Sequence, residues 1–191
     1  MPEWHEADEV QLIEQAQAGN AEAFGQLYVQ YAAAVFRYVF AHVDNRLDAE
    51  DLTEEVFLRA WRSISKYRQR DIPFLAYMFR IARNAVIDHH RRSRRSAQLV
   101  SLEGDDHPDR QIKDFRPDPG DAAIDRLERQ EMHRLLDQLQ EDYRTVTLLR
   151  FFSGLSPEET ALVMGRSPGA VRVLQHRALT ALRKLLPQEG G

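Results

Sequence analysis

Tyr77, Arg80, Asn84, Asp88 and Arg91 stand three or four residues apart in the segment FLAYMFRIARNAVIDHHRRSRR, a spacing that gathers them into one stripe of a helix. An aromatic ring can stack on an unpaired base, an amide and a carboxylate can bond base edges, and guanidinium groups can hold phosphates. Together these are the tools of single-strand nucleic-acid binding. Arg68 and Arg70 precede the stripe in the loop sequence RQRDIP. A plainer reading also fits, a solvated face whose arginines offset the dipole at the helix C-terminus, and periodicity leaves both open.

A second constellation is LSPEETALVMGRSPGAVRVLQHRAL. Ser156 and Glu159 have the spacing of a capping box with Pro157 at the first helical position, and Ser167 with Pro168 starts another helix after only Gly165-Arg166. Ala161 falls where two helices must cross closely, Gly165 tolerates the positive φ of the turn, and Val171 and Leu174 point back into a small core. This is helix-turn-helix spacing. Arg172, Val173, His176 and Arg177 are left facing outward, with Arg166 and Ser167 at the N-terminal end. In a major groove such a helix offers Arg172 and Arg177 to guanine edges or phosphates.

A third set is acidic: Asp48, Glu50, Asp51, Glu54 and Glu55 in DAEDLTEEVFLRAW. Asp48 is the expected N-cap of this helix, with Asp51 at the capping-box position. No histidine stands at ligand spacing beside these carboxylates, and acidic residues in a first turn commonly complement the helix dipole. No metal site and no cofactor are therefore expected. With Phe57, Leu58 and Trp61 as apolar anchors, a protein-binding face is the better reading. No glycine-rich phosphate loop, nucleophile elbow or triad pattern accompanies it, so the chain does not read as an enzyme.

The elements that must position these groups are helical throughout. Phe24, Leu27, Tyr28, Tyr31, Val35, Tyr38 and Val39 recur at helical spacing after a break at Gly19-Asn20, and no segment alternates with period two. Residues 96–121 carry three prolines, two glycines and seven acidic groups without a sustained period, the composition of a linker. The expectation is an all-α protein of two small helical domains, 1–95 and 122–191, joined by a flexible acidic linker over 96–121, with the helix-turn-helix in the second. The 191 residues include no cysteine. No apolar run is long enough to cross a bilayer, and MPEWHEADEV does not resemble a signal peptide, so no membrane insertion and a cytoplasmic location are expected.

The formal net charge of −4 averages over strong segregation. Residues 1–60 hold 3 basic and 12 acidic groups, 61–95 hold 10 and 2, 96–143 hold 6 and 13, and 144–191 hold 7 and 3. Alternating blocks of this kind suit a molecule with separate faces for nucleic acid and for a cationic partner, or a merely solvated surface.

The acidic helix, the basic helix and LLRFFSGLSPEETALVMGRSPGAVRVLQHRAL, in this order and spacing, together resemble the bacterial sigma-70 family of RNA polymerase sigma factors, in its extracytoplasmic-function group. The resemblance implies promoter-specific transcription initiation, with core RNA polymerase and promoter DNA as partners. By it, Asp51, Glu54, Glu55 and Trp61 dock on the β′ clamp helices. Arg68, Arg70, Tyr77, Arg80, Asn84, Asp88 and Arg91 recognise and melt the minus-ten element, the Arg68–Ile72 loop holding a flipped base. Arg166, Ser167, Arg172, Val173, His176 and Arg177 read the minus-thirty-five element in a unit that also docks on the β flap. An anti-sigma protein covering the docking faces is a further implied partner. Tyr77 stands where tryptophan is frequent in the family, Glu54 where glutamine is, and Gln140 where a proline often precedes the last helices.

Two rival functions use parts of the same features. A stand-alone helix-turn-helix regulator accounts for residues 144–186 but gives no role to the Tyr77 stripe or the acidic helix. A divalent-metal nuclease would use the carboxylates between Asp48 and Glu55.

Overall fold

Every regular element among the described residues is a helix, and several begin or end on a capping side chain or a glycine turn. The fold is that of a computed structural model that describes residues 6–43, 45–100, 132 and 134–186. Helix α1 (Glu6–Gln17) ends ahead of Gly19, whose φ of 92° turns the chain, and Asn20 caps α2 (Ala21–Phe40) by accepting from the backbone N–H groups of Glu22 and Ala23. Helix α3 (Arg46–Ser63) runs into a 3₁₀ turn (Ile64–Lys66), and the long α4 spans Phe74–Val100. After one helical turn at 134–137 come α5 (Glu141–Thr147), a π-helical turn (Leu148–Phe152), α6 (Pro157–Met164) and α7 (Pro168–Leu185).

Two boundaries differ from the sequence expectation. The cap of α3 is Asn45 rather than Asp48: the Asn45 side chain accepts from the Asp48 N–H at 2.8 Å and donates to the Asp48 carboxylate at 2.8 Å. Two competing cap residues stand three apart, and the earlier one wins because the later one can then close a reciprocal pair. Helix α4 continues to Val100, five residues into the segment expected to be linker. The rest of that segment, residues 101–121, and the helical pattern expected from 122 to 131 lie outside the described residues.

Helices α1 to α4 pack in sequence, and aromatic rings tie them together. Phe74 and Phe79 on α4 meet Tyr31 and Tyr38 on α2 at ring separations of 5.4 and 5.3 Å. Fully buried Phe74, Met78, Phe79, Ala82, Ala85 and Val86 line the inner face of α4. Burial of a large apolar side chain stabilises by about 1.5–3 kcal/mol, so this face alone is a main term in the fold. Leu75 and Ile81 of the same helix are only half-buried, and Tyr28 of the periodic set on α2 is exposed.

The C-terminal helices close on a core of Val146, Leu149, Ala161, Val163, Val171 and Ala178. The predicted caps of α6 and α7 are present. Ser156 and Glu159 make the reciprocal capping box, Gly165 has a φ of 63°, and the Ser167 hydroxyl accepts from the Ala170 N–H. Helix α6 packs against α4, and α5 meets the end of α2. There the Arg144 guanidinium donates to the Ala41 carbonyl at 3.2 Å, and buried His42 spans the two groups of helices.

His42 Nδ1 lies 2.7 Å from the Tyr38 carbonyl, which can only accept, so the proton sits on Nδ1. Nε2 then accepts from the Thr145 hydroxyl at 3.1 Å. Burial pushes the imidazole pKa from 6.5 down to about 4; the Tyr38 bond opposes this shift, and the Arg144 charge adds to it. Between those two pH values an unfolded chain binds a proton that the folded one excludes. Stability is therefore complete above about pH 6.5 and declines as pH falls toward 4, by at most roughly 3 kcal/mol for this group. Denaturant unfolding of the parent and His42→Gln at pH 7 and pH 4.5 checks this: the parent loses the larger share of its stability, and equal losses would remove the assignment.

Candidate nucleic-acid and polymerase interfaces

The outer stripe of α4 presents Arg80, Asn84 and Arg91 to solvent, while Asp88 is half-buried. Tyr77 does not join them. Its ring is 5% exposed and packs 4.7 Å from Tyr67 and 5.9 Å from Phe74. Its hydroxyl lies 2.8 Å from Ser63 Oγ, which itself donates to the Arg59 carbonyl at 2.6 Å, so Tyr77 is the donor. Burial raises its pKa, outweighing Ser63 and Arg80, which lower it. The expectation of an exposed stacking ring is thus corrected: the 3₁₀ turn and the chain after α3 cover the stripe at this end. What Tyr77 shows outward is a support for Arg80, whose guanidinium carbon stands 5.8 Å from the ring centre.

Upstream of α4, Arg68, Gln69 and Arg70 are exposed and line the rim of an open cavity of about 380 Å³, whose other wall is Ile13, Glu14 and Gln17 of α1. Tyr67 forms its floor, held by residues that sequence reasoning did not single out. Gln17 was missed because its partners lie 47 and 50 residues away and leave no periodic signal.

One guanidinium joins α3 to α4. Arg59 bonds Glu55 at 2.6 Å and Asp88 at 3.0 Å, and Arg92 reaches Glu55 at 3.3 Å. Burial would raise the Glu55 pKa, but the bonds to Arg59 and Arg92 outweigh it and hold the carboxyl below its usual value. Burial likewise opposes the Arg59 charge, and Asp88 and Glu55 more than restore it. Arg59 was also missed, although the Glu55–Arg59 spacing of four is a helical ion-pair signal.

On α3, Asp51 and Glu54 are exposed, Glu55 is half-buried, and Trp61 is half-buried against Phe24 with rings 4.9 Å apart. Phe57, expected as an exposed anchor, is buried between Phe24 and Tyr28; Leu58 and Leu47 are the exposed apolar groups of this helix. The carboxylates do not converge. Asp48 turns to Asn45 and lies 3.8 Å from His89, Glu50 pairs with Arg46, and Glu55 with its two arginines.

At the far end of the chain, Arg166, Ser167, Arg172, Val173, His176 and Arg177 are all exposed, as their spacing predicts. Arg172 pairs with Glu158 at 2.8 Å and Arg166 with Asp142 at 3.1 Å. Exposed pairs of this kind contribute about 0–1 kcal/mol, so a phosphate can displace the carboxylate at little cost. Two further apolar groups, Phe151 and Phe152, are about half exposed where the π turn ends.

Comparison with known proteins places these surfaces in a family. Residues 27–96 match the model for sigma-70 region 2, and residues 129–182 match that for sigma-70 region 4. The ECF RNA polymerase sigma factor BldN of Streptomyces coelicolor is 38% identical over 180 residues, 94% of this chain and 66% of that protein, so the chain spans just under two-thirds of that relative's length. The ECF RNA polymerase sigma factor SigD of Mycobacterium bovis is 35% identical over 176 residues, 90% of this chain and 81% of its own. Among solved structures, CnrH in complex with the cytosolic domain of CnrY superposes with a TM-score of 0.71 at 28% identity, covering 97% of this chain and all of that one. The sigma factor RpoE from Bartonella quintana, solved with the anti-sigma factor NepR, superposes with the same TM-score at 23% identity, covers 87% of this chain and 98% of its own, and shares the fold. With both family regions matched in order, and with relatives aligned along nearly the whole chain, this protein belongs to the sigma-70 family, in its extracytoplasmic-function group.

Proposed function

We propose that the protein is a dissociable initiation subunit that binds core RNA polymerase and directs it to promoters. Helix α4 and the Arg68–Ile72 loop engage the minus-ten element, and α7 reads the minus-thirty-five element. The observation that carries this reading is the presence, in one chain, of two exposed basic helices of different character. Helix α7 follows a capped, glycine-containing turn and suits a major groove; α4 carries an amide and arginines beside an open cavity and suits an opened strand.

In this reading Arg172 and Arg177 contact bases or phosphates of the minus-thirty-five element, with Val173 and His176 between them. Arg80, Asn84 and Arg91 hold the minus-ten strand, with Arg68 and Arg70 at the cavity rim. Tyr77 contributes by supporting Arg80 from beneath. Asp51, Glu54 and Leu58 meet the β′ clamp helices beside Trp61 and Glu55, and exposed Phe151 and Phe152 are apolar anchors for the β flap. The protein acts without catalysis of its own, and works in the cytoplasm; among the described residues no helix is long and apolar enough to cross a membrane. An anti-sigma partner would cover the same docking faces, as suits a chain that resembles CnrH, solved with the cytosolic domain of CnrY.

Run-off transcription with purified core polymerase over a genomic promoter library tests the function: start-site-specific transcripts are expected, and their absence on every template rejects it. Arg177→Ala should weaken binding to an active promoter by about 1–3 kcal/mol if it contacts a base, with relaxed preference at one minus-thirty-five position, or reduce the salt slope by about one if it contacts a phosphate. Competitive binding over a substitution series at two salt concentrations separates the two.

Charge reversal of the docking face gives a second test. Asp51 and Glu54 are exposed and their side chains make no ion pair or hydrogen bond among the described residues, so Asp51→Lys with Glu54→Lys should leave the melting temperature nearly unchanged. Affinity for core polymerase should fall at least about tenfold at low salt, with the difference shrinking as salt rises. Fluorescence titration with labelled protein reads both quantities; unchanged affinity would remove the two carboxylates from the interface.

A further inference from the structure

Gln17 belongs to α1, which lies before residue 27 and so outside the region 2 match. Its side-chain amide crosses to the other side of the cavity and donates to the carbonyls of Ile64 at 3.1 Å and Tyr67 at 2.8 Å. These carbonyls bracket the 3₁₀ turn, Ile64 opening it and Tyr67 capping it just before the Arg68–Ile72 loop departs. Tyr67 then fixes the other end of the loop. Its hydroxyl donates to the Ile72 carbonyl at 2.7 Å, while the Asp71 N–H bonds the Arg68 carbonyl at 3.0 Å and tightens the turn between.

The Tyr67 ring is buried, 5.5 Å from Phe74 and 4.7 Å from Tyr77, so its hydroxyl has one place to go. Arg68, Gln69 and Arg70 remain exposed, Arg70 pairing with Asp71 at 3.6 Å at the surface of the turn. A loop that must be ordered on binding loses conformational freedom residue by residue, and ordering it beforehand removes that cost from the binding step.

We infer that Gln17 and Tyr67 are positioning residues for promoter opening: through the Ile64, Tyr67 and Ile72 carbonyls they hold the Arg68–Ile72 loop in the form that receives an extruded base. The cavity between α1 and the loop is then a preformed receptor, and α1 is part of the opening machinery. This inference rests on the proposed base-holding role of the loop, and neither residue need touch the DNA.

The test uses the holoenzyme on forked promoter DNA in which each displaced-strand position of the minus-ten element carries, in turn, its base or an abasic site. The parent should bind one position more tightly with the base than without it. Tyr67→Phe keeps the ring but orphans the Ile72 carbonyl. Gln17→Met keeps the length but removes both donors. Each should cut the base-to-abasic ratio at that position by about tenfold, the size expected when a carbonyl partly or fully shielded from water loses its side-chain donor.

Core-polymerase affinity and binding to the abasic DNA should stay at parental values, which general destabilisation would not allow. Gln17 is half-buried at the surface, so its variant keeps the test valid should Tyr67→Phe fail to fold. Parental ratios in both variants, with Arg70→Ala abolishing the ratio, overturn the positioning role while leaving the loop as base holder. A parent with no abasic-sensitive position overturns both.

Discussion

The division of α4 into two faces is the constraint on which the rest of the molecule depends. Its inner face buries Phe74, Met78, Phe79, Ala82, Ala85 and Val86 against α2 and α3, and that burial fixes the rotation of the helix about its axis. Once the rotation is fixed, Arg80, Asn84 and Arg91 have no other direction than outward. The same seat decides where α3 presents its carboxylates and gives α6 a surface to lie on. A basic face that must contact nucleic acid in one register needs such an anchor, because long charged side chains cannot set their own geometry.

Electrostatics is arranged more loosely, and the difference in strength is functional. The acidic and basic blocks of the chain meet locally through Arg59, Arg92 and His89, and at the far end through Glu158 and Asp142. These pairs are mostly exposed and contribute little to folding. Pairs this weak can be exchanged for contacts with a partner of greater charge density. A net charge of −4 therefore says little about affinity for DNA; the pattern of exchangeable pairs says more.

The helix-turn-helix was legible in the sequence because its determinants are local. Ser156, Glu159, Gly165 and Ser167 act within a few residues of themselves, and each occupies the predicted role. Tyr77 was misplaced for the opposite reason. Helical period gives its direction about the axis correctly, on the side of Arg80 and Asn84, but cannot tell that Tyr67 and Ser63 fold over that side near the first turns. Asn45 was not singled out because Asp48, three residues on, offers the same cap chemistry, and Leu47 between them is 72% exposed and belongs to no buried face. Gln17 and the cross-link of His42 were illegible altogether, since the Gln17 partners lie 47 and 50 residues away and Thr145 lies 103 residues from His42.

The join between the two groups of helices follows from that last class of contact. Part of it is apolar, where α6 meets α4, and part is polar, where His42, Thr145, Arg144 and the Ala41 carbonyl satisfy one another. Polar groups paired across a boundary are specific, because a shifted register would leave His42 and Thr145 buried and unpaired. They are also separable, because each regains water when the boundary opens, whereas Phe79 or Met78 would expose apolar surface. Exposing the inner face of α4 thus costs more per group than separating the polar contacts at His42.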